Sequence, residues 1–194
     1  MKQIKKLSHL SFLPHSKFLP LSNTVLSVLI YTTIVSGVYI LSISGQSVAP
    51  PEKTLSADTA QPYLDSERRV FDLVNDERKK LGIQPLLWNE KAAAAARSHS
   101  DDMASSNYLG HSDLFGGKPE DRVEKAGLTD WRRLGENIAW VSGHPDPLSR
   151  VVECWMNSAG HRQNMLDPKF RESGLGMTIT SDGKSYFTQV FVSR

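Results

Sequence analysis

The sequence predicts an α+β layered domain, with helices first and a β-hairpin last, behind a hydrophobic amino-terminal segment. Three observations carry this. Apolar residues recur at helical spacing through the first two thirds of the region after residue 65, an Asp-Gly pair separates two β-rich runs near the carboxyl end, and residues 18–51 hold no charge at all. Helical periods followed by paired strands favour segregated layers over a doubly wound sheet, in which the two would alternate.

Residues 1–23 contain Lys2, Lys5, Lys6 and Lys17 and no acid. Residues 24–44, dominated by Val, Leu, Ile and Tyr, would rise about 31 Å as a helix, close to the roughly 30 Å hydrocarbon core of a bilayer. Because the lysines all precede this span, the positive-inside rule keeps 1–23 in the cytoplasm and sends the remainder across. The expected product is a single-pass signal anchor in the cell membrane with its carboxy-terminal domain outside. Cleavage of a signal peptide after Ser44 would instead give a secreted domain, and Pro50 obstructs cleavage after Ala49. Residues 45–64, with Pro50, Pro51 and Pro62 among Ser, Thr and Ala, read as a flexible linker. The domain is then 65–194.

Beyond residue 45 the chain keeps 19 of its 23 basic residues against 21 acidic ones, a formal charge of −2. No basic stripe remains to argue for nucleic acid. Cys154 is the only cysteine, so no intramolecular disulfide forms and the core must supply stability, which about 130 residues suffice to do. A half-buried packing role is expected for it.

Val70, Leu73, Val74 and Leu81 set a first helix over 66–81, capped by Asp65 or Ser66 and stopped by Gly82. Asn89 is a natural N-cap for a second helix with a buried stripe of Ala92, Ala95, Ala96, His99 and Met103. Its alanines imply close approach of a neighbouring element, and His99 is expected as a core histidine bonded to backbone. Pro119 opens and Gly127 closes a short third helix. Leu148, Val151, Val152 and Trp155 mark the inner face of a fourth. Runs 175–180 and 186–192 flank Asp182-Gly183, a strong hairpin signal.

Three segments carry chemistry in polar, turn-rich contexts: Gly110-His111-Ser112, the stretch from Gly135-Glu136-Asn137 to Trp140, and the stretch from Trp155 through Ser158, Gly160 and His161 to Leu166. In this order they resemble the signature of the CAP superfamily, or SCP-like domain, which includes cysteine-rich secretory proteins, antigen 5 and plant pathogenesis-related class 1 proteins. The resemblance runs from about residue 66 to the end and includes Asn75-x-x-Arg78; its Trp-Met-Asn-Ser-x-Gly-His-Arg form is similar to the cysteine-poor bacterial branch.

That resemblance implies an α-β-α sandwich whose groove carries two histidines and two glutamates. It places His111, Glu136 and His161 in the groove, with Ser158 where many eukaryotic members have the second glutamate. Glu153 is no substitute, lying about 160° around the helix from Trp155, whereas Ser158 lies about 60° away. Asn137, Arg162 and Asn164 adjoin the site as candidates to orient the histidines.

Two imidazoles and a carboxylate would make three ligands for a divalent metal, Zn²⁺ by ligand type, with a fourth position open. The same residues could instead form a metal-free, hydrogen-bonded groove. The leading expectation is an extracytoplasmic binding module for a lipid, sterol, peptide or divalent metal. A metal-dependent hydrolase of peptides, with Glu136 or His161 moving protons, is the alternative; a structural cell-envelope module is the third. A Ser158–His161 nucleophile pair lacks an elbow or oxyanion-hole motif. Trp88, Trp131, Trp140 and Trp155 read as core or groove wall, and Arg132-Arg133, Arg78-Lys79-Lys80 and His144 as solvated.

Overall fold

The computed structural model describes Gln3–Ile4 and residues 57–194, with side chains from Tyr63 onward. The expected span, 24–44, the rest of 1–23 and the linker up to residue 56 lie outside the described residues. Among the described residues no helix is long and apolar enough to cross a membrane.

The elements run β1 (Gln3–Ile4), α1 (Ala57–Lys80), β2 (Leu87–Trp88), α2 (Glu90–Ser105), α3 (Pro119–Lys125), β3 (Arg133–Val141), α4 (Pro147–Asn157), α5 (Ala159–Leu166), β4 (Glu172–Ile179) and β5 (Ser185–Ser193). The sheet order is β1-β3-β5-β4-β2. β5 is central and antiparallel to both β3 and β4, while β1 and β2 add two-residue parallel pairings at the outer edges. The turn at Asp182-Gly183 closes as expected, with Gly183 at φ +81° and the Thr180 amide donating to the Lys184 carbonyl at 2.9 Å.

Strand alternation divides the interior into two layers. Phe187, Phe191, Leu175 and Met177 pack with Val70, Phe71 and Val74 of α1 and Val151, Val152 and Trp155 of α4. On the other face Leu134, Val190 and Val192 meet Ala92, Ala95 and Ala96 of α2 and Val123 of α3. Helices thus cover both faces of the sheet. The alanine stripe does bring α2 close: a Cβ added at Gly174 would lie 2.0 Å from the Ala93 nitrogen, and one at Gly176 would lie 2.1 Å from the Arg97 nitrogen.

Three readings change. α1 begins at Ala57, before the expected linker end, because helical hydrogen bonding needs no apolar period. The Gly-Glu-Asn segment belongs to a nine-residue strand, β3, rather than to a turn. Arg78 is not solvated but fully buried; it donates to the carbonyls of Gln84 (2.9 Å), Met165 (2.6 Å), Asp167 (3.2 Å) and Phe170 (3.3 Å). Nearby, Asn75 exchanges two hydrogen bonds with the Leu86 backbone, at 3.1 and 2.7 Å. The Asn75-x-x-Arg78 pair therefore pins the end of α1 to the loops before β2 and β4. Arg133 is likewise half-buried, 3.3 Å from Asp167.

Candidate functional site

β3 pairs with β5 along its whole length, but among the described residues its outer edge is covered by another strand only at Arg133–Leu134. An open edge exposes a row of unpaired backbone groups. Here helices α4 and α5 close it through side chains. Trp155 Nε1 donates to the Ile138 carbonyl at 3.3 Å, and Asn164 Nδ2 donates to the Glu136 carbonyl at 3.2 Å. Asn164 also donates to Asn137 Oδ1 (3.0 Å), and Asn137 Nδ2 donates to the His161 carbonyl (3.1 Å). Asn137 and Asn164 thus hold the backbone that carries His161, not its ring.

Glu136 projects to the other face, opposite Val190 in the register, where α3 and the loop after α2 meet it. That loop is anchored from below. His99 Nε2–H donates to the Gly110 carbonyl at 2.8 Å, directly before His111, so His99 is the backbone-bonded core histidine expected. Among the described residues its Nδ1 is buried without a hydrogen-bond partner, and burial lowers its pKa. Further along, Asp113 Oδ1 accepts from the amides of Phe115 and Gly117, both at 2.8 Å.

His111 Nδ1–H donates to Glu136 Oε1 at 2.9 Å. Glu136 is only 2% exposed, and a buried carboxylate requires a cation or several donors. Arg122 of α3 supplies the charge. Its Nη2 lies 2.9 Å from Oε2 and 3.2 Å from Oε1 of Glu136, and 2.8 Å from the His111 carbonyl. The sequence reading missed Arg122. The signal was present, since Pro119, Arg122, Val123 and Ala126 share helical spacing and Pro119 and Val123 are buried.

His161 is half-buried on α5, and its pKa is lowered by burial first and then by the charge of His111. The structure therefore brings His111 and Glu136 into direct contact and His161 into their field. Among the described residues no hydrogen bond ties the His161 ring to either. Ser158 is half-buried at the joint of α4 and α5, its carbonyl accepting from the Arg162 amide at 2.8 Å. Arg162 is exposed and donates to the Met156 carbonyl at 3.0 Å, so it does not orient His161. Glu153 faces solvent as expected, paired with Arg150 at 2.7 Å. Trp131 and Trp155 are buried and Trp88 is half-buried, but Trp140 is 49% exposed, beside Lys184 at 5.2 Å.

The model of the cysteine-rich secretory protein family (CAP) matches residues 71–191. The chain belongs to this family. It is 36% identical over 152 residues to Bacillus subtilis YkwD, covering 78% of this chain and 56% of that one. It is 37% identical over 131 residues to the B. subtilis membrane protein YlbC, covering 66% and 35%. The chain thus spans about half or less of the length of these curated relatives. Among solved structures, an extracellular SCP-domain protein from Bacillus anthracis aligns at TM-score 0.60 and 30% identity over 74% of this chain and 45% of that one. An outer surface protein from Borrelia burgdorferi shares the fold at TM-score 0.60 and 22% identity, over 67% and 93%.

His111, Glu136 and His161 fit a metal poorly as arranged. Both oxygens of Glu136 accept from the Arg122 guanidinium, and one also accepts from His111. Among the described residues no three His, Cys, Asp or Glu side chains form a group that could hold a metal ion. What these residues present is a buried carboxylate neutralised by Arg122 and hydrogen-bonded to the His111 imidazole. An open depression along α5 is lined by Ala159, Arg162, Gln163, Leu166, Asp167 and Pro168, and not by His111, Glu136 or His161.

Proposed function

We propose that this CAP domain is an extracytoplasmic binding module whose groove, floored by His111–Glu136–Arg122 and flanked by His161 and Ser158, takes up a peptide. The observation that supports this most is the engagement of Glu136: a carboxylate accepting from a guanidinium and an imidazole is poorly placed to activate water. Two imidazoles beside a neutralised floor suit a polar, hydrogen-bonding ligand better than an acyl chain. Membrane attachment through 24–44 is part of the proposal.

The test is NMR of the histidine ring resonances during addition of a tryptic digest of casein, with mass spectra of the digest taken before and after. Shifts of His111 and His161 without new cleavage products are expected. New products that vanish in Glu136→Gln would establish a hydrolase, and unmoved rings would favour a structural envelope module.

A further inference from the structure

We infer that Trp140, Lys184 and Asn107 form a second binding site, a surface ledge for an acidic saccharide, a sugar ring that carries a carboxylate. The site is independent of the peptide reading, because it uses none of the residues proposed for that ligand. Trp140 lies on the same face of β3 as Glu136, four residues and roughly 13 Å further along the strand. Ile138, packed with Met103, Tyr186 and Tyr108, fills the position between them.

The cation of the ledge is held in place. Thr180 fixes the Lys184 backbone across the Asp182-Gly183 turn: its amide donates to the Lys184 carbonyl at 2.9 Å, and its Oγ1 accepts from the Lys184 amide at 3.2 Å. Lys184 Nζ donates to Asn107 Oδ1 at 3.1 Å and to the Tyr186 hydroxyl at 3.5 Å, and that hydroxyl donates to Asn107 Oδ1 at 3.2 Å. Asn107 follows the end of α2 in the left-handed region, at φ +49°, which asparagine tolerates. Tyr186 is 2% exposed. The end of α2, the hairpin turn and β5 therefore fix one ammonium.

Among the described residues the contacts of that ammonium are to neutral groups, the Asn107 amide, the Tyr186 hydroxyl and two aromatic rings. Asp182, in the same turn, is bonded to Thr180 instead. An ammonium carries three donors, so Lys184 keeps one for an anion. Asn107 Oδ1 is taken by two donors, which leaves its Nδ2 to donate to a hydroxyl.

Trp140 supplies the apolar half. Its ring centroid is 5.2 Å from Lys184 Nζ, yet the residue remains 49% exposed, a large apolar face left in water. A pyranose ring has a flat C–H face that covers an indole and hydroxyls that accept from an amide; in an acidic sugar it also has a carboxylate for the ammonium. An acidic peptide carries its carboxylates on flexible chains with no flat face beside them.

The experiment is NMR of the isotope-labelled tryptophan indoles in the full chain, in mild detergent, during titration with tetragalacturonate or uncharged cellotetraose. The chain has four tryptophans, and the indole signal missing in Trp140→Leu identifies the one that matters. Tetragalacturonate is expected to move that signal saturably, and added salt to weaken the effect. Lys184→Met, which keeps the apolar stem, should weaken binding about fivefold, and cellotetraose should bind more weakly than tetragalacturonate by about the same factor. Asn107→Gly, which keeps the positive φ and removes the amide, should weaken binding too and serves should Lys184→Met fail to fold. Three results would overturn the inference: a Trp140 signal that does not move, undiminished binding by the folded Lys184 or Asn107 variant, or a casein digest that moves the signal as strongly as tetragalacturonate does. The histidine rings report on the peptide reading and the Trp140 indole on this one, so either can fail alone.

Discussion

Two buried glutamate–arginine pairs sit at opposite sides of the same sheet and do different work. At the β4 side Glu67 accepts from Arg97 through three contacts of 2.8–3.0 Å and from the Met177 amide at 3.3 Å. At the β3 side Glu136 accepts from Arg122 and from His111. The third partner makes the difference. A backbone amide completes Glu67 as a strand closure, whereas an imidazole from the loop after α2 completes Glu136. Solvent differs too, for the Arg97 side chain is 28% exposed and that of Arg122 is 11% exposed. Identical charge chemistry holds a strand edge or a histidine loop according to which donor completes it.

The largest expected effect is on stability. Arg122→Ala leaves a carboxylate buried with one imidazole, and such breaks cost about 3–5 kcal/mol. Arg97→Ala should cost less, about 2 kcal/mol, because water reaches that pair. Urea unfolding at pH 7 compares them, and an equal or larger loss for Arg97→Ala would remove the distinction between the two edges.

Acidity should act on the two sides in opposite senses. Burial lowers the pKa of His99 and His161. The unfolded chain therefore binds more protons below about pH 6.5, and their contribution, full above that value, is lost as pH falls toward the folded pKa values. Burial raises the Glu67 pKa against the pull of Arg97, so its contribution is present below the unfolded carboxylate range and lost as pH rises through the folded value. Denaturation at pH 7.5 and 5.5 should show a smaller acid-induced loss in His161→Gln than in wild type. An unchanged loss would mean that His161 does not sense its burial.

The smallest effect belongs to Glu153→Ala, a solvent-facing residue with a surface partner. It should move stability by less than about 0.5 kcal/mol. A larger loss would mean that the solvent face of α4 has been misassigned.

Much of this was legible in the sequence because it depends on local pattern. Alanines at helical spacing announced a close helix–sheet contact, Asp182-Gly183 announced the hairpin, and His99 on the buried stripe announced a backbone-bonded core histidine. Helix phase alone separated Glu153 from Ser158. The three motifs named the candidate segments, yet their order on the chain concealed what they do in space. Arg162 and Asn164 looked equivalent beside His161, and only one of them reaches β3.

The sequence by itself therefore determined the family, the main helices and the closing hairpin, since periodicity, caps and turns act within a few residues. Tertiary structure decided the rest. It decided that Gly-Glu-Asn is an edge strand, that Arg78 is a buried clamp, and that Arg122 neutralises Glu136. Each of these depends on donors and acceptors brought together from separate elements, and the need of a buried charge or an open strand edge for a partner does not specify which residue will answer it.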